Sequence, residues 1–106
     1  MKELNPSELQ ARLSQPGPVQ LVDVRQPEEW ALARLPGAVL IPLGEFVARG
    51  PEELDPGQPV VLYCHHGMRS AQAAAYLLSR GFGDVTNLTG GIDRWSLEVD
   101  PTVPRY

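Results

Sequence analysis

Residues 60–70, VVLYCHHGMRS, decide the fold of this chain. The apolar run at 60–63 follows a Pro- and Gly-rich turn signal at 56–59, which predicts a strand buried on both faces. An Ala- and Leu-rich segment at 70–80 ends at Gly81 and predicts a helix with a glycine C-terminal signal. A buried strand that leads into a helix across a short loop is typical of parallel α/β sheets.

The same alternation of short apolar runs and helical segments continues on both sides of this stretch. Strands are predicted over Val19–Val24, Ala38–Ile41 and Val85–Leu88. Helices are predicted after an Asn5 cap, over Pro27–Ala31, around Phe46 and over Ile92–Glu98. Trp30 and Trp95 are expected to be core aromatics. The predicted fold class is α/β, with a parallel sheet covered by helices on both faces.

The composition indicates one ordinary globular domain. The chain has 106 residues, and its 42% hydrophobic content supports a packed core rather than disorder. A net charge of -4 gives no electrostatic attraction to nucleic acid or to an anionic membrane surface. No apolar run reaches membrane-spanning length, and the N-terminus lacks the apolar core of a secretory signal. A single cysteine excludes an internal disulfide, so a reducing cytoplasm is the expected location.

The only cysteine, Cys64, lies where the predicted buried strand ends, a few residues before a helix begins. Ligands of parallel sheets bind beyond the carboxyl ends of the strands. A loop at this place can turn backbone N–H groups inward as an anion-binding concavity, and the helix adds the positive end of its dipole. Such surroundings lower a thiol pKa from about 8.5 to between roughly 3.5 and 7.5. The alternative is a small buried apolar residue, but the Gly, His and Arg neighbours are poor core fillers.

Residues 64–70, CHHGMRS, resemble the active-site loop of rhodanese domains, which has the form C-x4-R-[ST]. Other segments resemble the family in the same order along the chain: LVDVR at 21–25 with EEW at 28–30, LPGA at 35–38 with IP at 41–42, and NLTGG at 87–91 with Trp95. One departure is Ala33-Arg34, where the family often has Gly-His. The tail at 99–106 is similar to tails of standalone bacterial rhodaneses and of rhodanese domains fused to sulfur-carrier-activating adenylyltransferases.

The resemblance implies one rhodanese domain over residues 1–106, with a mainly parallel five-stranded sheet and helices on both faces. The tail 99–106 is expected to pack on this domain, because Val99, Val103 and Tyr106 are apolar and two prolines make the segment rigid. It also implies a sulfurtransferase of the thiosulfate:cyanide type. Cys64 would take the sulfane sulfur of a donor such as thiosulfate, hold it as a persulfide and pass it to a thiol or cyanide acceptor. A sulfur-relay protein is a further candidate partner. No cofactor is expected.

The expected substrate-binding residues are the loop positions that follow the cysteine: His65, His66, Gly67, Met68 and Arg69. Their amides would cradle the persulfide and any oxyanion. The two histidines either tune the charge of the loop and contact the donor or are exposed loop residues. A metal site built from Cys64 and the two histidines is not expected, because consecutive residues in a tight turn cannot converge on one ion.

The charged residues near the loop leave two interpretations open. Arg69 either binds a donor oxyanion in bidentate fashion or forms a structural ion pair with Asp23 or with one of the acids at 28–29. Asp23 and Arg25 are interpreted mainly as scaffold groups near the carboxyl end of the sheet. The glycine pair at 90–91 is predicted to permit close backbone approach.

Two other classes of function share parts of this pattern. Cysteine phosphatases and arsenate reductases have the same Cys-loop-Arg arrangement, but phosphatases use C-x5-R, whereas C-x4-R joins Cys64 to Arg69. The loop also holds no acid to protonate a leaving group. A non-catalytic adaptor or a sulfur carrier in a relay is the main alternative, and an activity assay on Cys64→Ser would distinguish an adaptor from an enzyme.

Overall fold

The computed structural model describes residues 1–106 and contains a five-stranded, entirely parallel sheet. The strands are β1 (Lys2–Leu4), β2 (Gln20–Asp23), β3 (Val39–Leu40), β4 (Val60–Tyr63) and β5 (Val85–Leu88). The helices are α1 (Pro6–Leu13), α2 (Pro27–Leu32), α3 (Leu43–Glu53), α4 (Met68–Ser79) and α5 (Gly91–Glu98). The strand order is β1-β5-β4-β2-β3, which places β4 at the centre. The predicted α/β class and five-stranded sheet are confirmed.

The central strand β4 is buried on both faces, as its apolar sequence predicts. Its side chains alternate between two core layers, because successive residues of a strand point to opposite faces. Val60 and Leu62 pack with residues of α3 and α4, whereas Val61 and Tyr63 pack with residues of α1 and α5. All four residues are at most 3% exposed. The carboxyl end of β4 is therefore held from both sides.

The edge strand β1 is the one strand that the sequence pattern does not predict. It pairs with β5, with Lys2 opposite Thr86 and Leu4 opposite Leu88. Lys2 and Glu3 are exposed, so neither an apolar run nor a clear alternation marks this segment. A short charged strand also discourages another chain from pairing with the open edge of the sheet.

The helices differ in how much they bury. The predicted cap of α1 is present: the Asn5 side chain accepts a hydrogen bond from the Glu8 N–H at 2.8 Å, and the Glu8 carboxylate accepts one from the Asn5 N–H at 2.9 Å. In α5, Trp95 is a core residue, as expected. Trp30 is only half-buried, because α2 buries none of its residues, and the prediction of a core role for Trp30 is wrong. No helix is both long and apolar enough to cross a membrane.

Residues 99–106 follow α5 and turn back toward the sheet. Val103 is buried and belongs to the core layer that contains Trp95. The Asp100 carboxylate accepts a hydrogen bond from the Thr102 N–H at 3.1 Å, which stabilises the turn. Arg105 Nε donates to Asp93 Oδ1 on α5 at 2.9 Å. These contacts bring the end of the tail to the loop that follows β4.

Candidate active site

Cys64 directly follows β4 and is only 2% exposed. Its Sγ accepts a hydrogen bond from the Gly67 N–H at 3.0 Å and lies 3.4 Å from the Ser70 hydroxyl, whose single proton it shares with the Asn87 side chain. Gly67 has a φ of 106°, in the left-handed region that favours glycine, and immediately precedes α4. This conformation turns the loop back over the sulfur and aims the start of α4 at it.

The pKa of the Cys64 thiol is the balance of opposing effects. Burial raises this pKa, because a thiolate is poorly solvated inside the protein. The Ser70 hydroxyl and the Gly67 N–H, together with the nearby N–H groups of Ser70 and His66, stabilise the thiolate and lower this pKa. The net pKa lies below that of an ordinary cysteine. The loop therefore favours the thiolate, which is the nucleophilic form of cysteine.

Asn87 on β5 holds the loop in its closed shape. Its side-chain carbonyl accepts a hydrogen bond from the Ser70 hydroxyl at 2.6 Å, and its amide group donates to the Gly67 carbonyl at 3.1 Å. Ser70 and Asn87 are both buried, so these bonds are shielded from water. Neither residue was among the predicted site residues. The sequence signal for Asn87 is its place at the start of the NLTGG segment at 87–91, one of the segments that resemble the family.

The backbone of the loop also rests on the start of α5. The Cys64 carbonyl accepts a hydrogen bond from the Ile92 N–H at 2.9 Å, and the His65 carbonyl accepts one from the Asp93 N–H at 3.2 Å. A Cβ on Gly91 would collide with both of these carbonyl oxygens. The prediction that the glycine pair at 90–91 permits close backbone approach is confirmed for Gly91.

Arg69 forms a bidentate ion pair with Glu29 on α2. Arg69 Nη1 lies 2.7 Å from Glu29 Oε1, and Nη2 lies 3.0 Å from Oε2. Hydrogen bonds from Arg69, the Tyr106 hydroxyl and the Gln26 N–H hold the pKa of Glu29 at about 2, against the opposing effect of burial. This geometry matches the structural ion pair considered for Arg69, and one of the candidate acids, Glu29, is the partner.

A second ion pair lies beneath the loop at the end of β2. Arg25 and Asp23 have fully buried side chains, and Arg25 Nη2 lies 2.6 Å from Asp23 Oδ2. The Ala33 carbonyl accepts a further hydrogen bond from Arg25. A buried pair with this many hydrogen bonds is costly to break by removing one partner. Its position supports the interpretation of both residues as scaffold groups.

The side chains of His65, His66 and Met68 form the rim of the loop. His65 is half-buried, and burial lowers the pKa of its imidazole below the ordinary value. The His66 side chain is 65% exposed, and Met68 is 78% exposed. Ligand-type atoms of His65, His66 and Asp93 lie within 4.8 Å of one another, but the Asp93 carboxylate is paired with Arg105.

Fold and loop together define an α/β domain that presents one hydrogen-bonded thiol at the carboxyl edge of a parallel sheet. The chain belongs to the rhodanese-like domain family, whose model matches residues 5–98. The match includes the whole Cys64 loop, Glu29 and Asn87. It leaves the segment from 99 to 106 outside.

Three comparisons illustrate this relationship. A sulfurtransferase of Allochromatium vinosum is 39% identical over 97% of this chain and 95% of its own length. The chloroplastic rhodanese-like/PpiC domain-containing protein 12 of Arabidopsis thaliana is 39% identical over the whole chain, which spans only 38% of that protein. The crystal structure of a rhodanese-like domain protein from Staphylococcus aureus has a TM-score of 0.84 at 32% identity, with 100% of this chain and 99% of that chain covered.

Proposed function

We propose that this chain is a sulfurtransferase that carries a sulfane sulfur as a persulfide on Cys64. The observation that carries the proposal is the position of this thiol at the carboxyl end of β4, in a loop whose Gly67 N–H donates to its sulfur and helps to lower its pKa. Family membership and the name of the Allochromatium vinosum relative support the same class of activity. The single thiol supports a reducing, cytoplasmic setting as part of the proposal.

The proposed reaction has two displacement steps. The Cys64 thiolate attacks the outer sulfur of a donor such as thiosulfate, the sulfur–sulfur bond of the donor breaks, and sulfite leaves with the bonding electron pair. The outer sulfur of the resulting persulfide is then attacked by cyanide or a thiolate. With cyanide, thiocyanate leaves and the Cys64 thiolate is regenerated. With a thiolate, the acceptor leaves as a persulfide.

The loop residues divide into two roles in this proposal. The Gly67 N–H donates to the sulfur of Cys64, and the nearby N–H of His66 helps to stabilise its negative charge. The exposed side chains of His66 and Met68 lie where a donor or acceptor arrives. Arg69 contributes through its ion pair with Glu29, and binding of a donor oxyanion by its guanidinium would require a rearrangement of that pair.

A sulfur-relay role is the second candidate. Cys64 is the only cysteine, so no second thiol in the chain can resolve the persulfide as an internal disulfide. The persulfide must therefore be passed to an acceptor outside the chain. In the relay that acceptor is a thiol of a partner protein, and thiosulfate is only a convenient donor in the laboratory.

The test is the intact mass of the protein after incubation with thiosulfate and removal of excess donor. Wild-type protein should gain the mass of one sulfur atom, and cyanide should then remove that sulfur as thiocyanate. Cys64→Ser, which replaces only the sulfur by oxygen, is the matched control and should show neither change. Folded wild-type protein that gains no sulfur and forms no thiocyanate would contradict the proposal and favour an adaptor.

A further inference from the structure

The tail beyond residue 98 contacts the active-site loop through its last residue, Tyr106. The family match ends before this tail. Val103 anchors the tail in the core, and Arg105 anchors it to Asp93. Tyr106 is thereby placed against His65, the residue that follows the nucleophile.

The ring of Tyr106 restrains the side chain of His65. The two rings are stacked, with centroids 4.1 Å apart and planes inclined by 7°. The ring of His66 lies 4.0 Å from that of His65. His65 Nε2 is buried without a hydrogen-bond partner, so no hydrogen bond at that atom fixes the imidazole. The stacking contact with Tyr106 therefore contributes much of the restraint on the orientation of the His65 ring.

The hydroxyl of Tyr106 joins the two ion pairs beside the loop. It accepts a hydrogen bond from Arg25 Nη1 at 2.7 Å and donates one to Glu29 Oε2 at 2.6 Å. Glu29 in turn holds Arg69, which lies in the first turn of α4 next to Ser70. Burial and the bond to Glu29 raise the pKa of Tyr106 to about 12, so the hydroxyl remains a donor at neutral pH.

We propose that Tyr106 is a positioning residue for sulfur transfer at Cys64, acting through His65 on one side of the loop and through Glu29 and Arg69 on the other. The proposal rests on the proposed function, because it assigns the tail to the same reaction. Tyr106 touches neither the sulfur nor, in the proposed reaction, the donor. It keeps the loop closed, so that the N–H groups stay within hydrogen-bond distance of Sγ.

A loop released by the loss of Tyr106 would hold the thiolate less well. Charge-stabilising N–H groups act over hydrogen-bond distances, so a small displacement removes much of their effect. The pKa of Cys64 would then rise toward that of an ordinary cysteine. At pH values below both pKa values, a smaller fraction of the protein would carry the nucleophilic thiolate.

The test is the pH dependence of the rate at which iodoacetamide alkylates Cys64, the only thiol. Several titratable or charged groups surround Cys64 and His65: His65 and His66 in the loop, Arg25 after β2, Glu29 on α2, Arg69 on α4, Asp93 on α5, and Arg105 and Tyr106 in the tail. Only Tyr106 is changed in the variants. The midpoint of the profile is the readout, because a looser loop also exposes the thiol and alters the plateau rate.

Two variants separate the ring from the hydroxyl. Tyr106→Leu removes both the stack and the hydrogen bonds, and should raise the midpoint by about one pH unit, which corresponds to about tenfold slower alkylation below both pKa values. Tyr106→Phe keeps the stack and should raise it by about half a unit, or about threefold. Tyr76→Phe is the matched control, because its hydroxyl contacts only the Val47 carbonyl on α3 and its midpoint should equal that of wild type.

A folded Tyr106→Leu protein with the wild-type midpoint would overturn the proposal, even if its melting temperature falls, because a purely structural tail affects stability alone. An equal shift in Tyr76→Phe would overturn it as well. If Tyr106→Leu does not fold, Tyr106→Phe decides, and an unchanged midpoint there counts against positioning. Failure of wild type to accept sulfur would remove the proposed function, while the alkylation profile would still report whether Tyr106 tunes Cys64.

Discussion

The Cys64 loop is fastened on two sides by different kinds of interaction. Its inner side, formed by Ser70, Asn87 and Gly91, is neutral and buried. Its outer side, formed by Glu29, Arg69 and Tyr106, is charged or polar and partly exposed. Ser70 and Asn87 form hydrogen bonds to the sulfur or to the loop backbone, and Gly91 lies directly against that backbone, whereas the outer side chains bond to neither. The comparison predicts that the inner side acts directly on the thiol, and that the outer side acts on it only by keeping the loop in place.

The inner side should be the less tolerant of change, and Gly91→Ala should have the largest effect. Gly91 has a φ of 62°, and an added Cβ would collide with the carbonyls of Cys64 and His65. We expect the free energy of unfolding to fall by about 3 kcal/mol and persulfide formation to be lost. Chemical denaturation and intact mass measure the two effects.

Gly83→Ala is the control for this substitution, since a Cβ at Gly83 would meet nothing within 4 Å. Its stability and sulfur transfer should match those of wild type. A Gly91→Ala protein as stable and active as Gly83→Ala would show that the loop does not depend on close contact with α5.

Ser70→Ala tests the hydrogen bonds of the inner side. It leaves the buried side-chain carbonyl of Asn87 without its donor and removes a donor to Cys64 Sγ, so stability should fall by about 2 kcal/mol. The pKa of Cys64 should rise, and the alkylation profile should move to higher pH. Because the folded state lowers this pKa, the thiolate contributes stability that is complete above the unfolded pKa and is lost as pH falls through the folded pKa.

The difference in free energy of unfolding between wild type and Ser70→Ala should therefore become smaller at low pH and change little with salt concentration. Ser79→Ala is the control, because the Ser79 hydroxyl bonds only the exposed Tyr76 carbonyl at the end of α4. A Ser70→Ala profile with the wild-type midpoint would contradict the assignment of Ser70 as a donor to the sulfur.

Glu29→Gln tests the outer side and should have the smallest effect. The Glu29–Arg69 pair is partly exposed, so screening by water limits the loss of stability to about 1 kcal/mol. Since the pKa of Glu29 is lowered from 4.5 to about 2, its contribution is complete above pH 4.5 and is lost as pH falls to 2. Thermal unfolding at several pH values and salt concentrations measures it.

Glu28→Gln, at the exposed neighbouring position, is the matched control and should leave stability unchanged. The wild-type advantage over Glu29→Gln should shrink in high salt, in contrast to the advantage over Ser70→Ala. If the losses of unfolding free energy in Ser70→Ala and in Glu29→Gln depended equally on salt, the distinction between the inner and outer sides would be wrong.

The sequence predicts the elements around β4 because their signals are local. A continuous apolar run, a short loop with a glycine and a helical segment rich in Ala and Leu follow one another within residues 60–80. The family motifs extend this prediction to the order of the remaining elements. The sequence does not predict β1, because this strand is a short charged segment that pairs with β5 through backbone atoms. Such pairing leaves no pattern in side-chain hydropathy.

The supports of the site are harder to predict because their partners are distant in sequence. Arg69 had several candidate acids, and only the packing of α2 beside α4 selects Glu29. Tyr106 belongs to the tail 99–106. The apolar residues of this tail predict that it packs on the domain, but they do not predict which part of the domain it contacts. Its contacts with Arg25 and His65 depend on the turn at Asp100 and on the burial of Val103.

The order of strands in the sheet has a consequence for the newly made chain. Synthesis proceeds from the N-terminus, so Cys64 leaves the ribosome before Asn87, Gly91 and Tyr106, all of which shape its loop. Until β5 joins β4, Asn87 does not hold Ser70 and Gly67, the two groups that donate to the sulfur. In a nascent chain the pKa of Cys64 is therefore expected to be that of an ordinary cysteine, and it should fall only when β5 and α5 have closed around the loop.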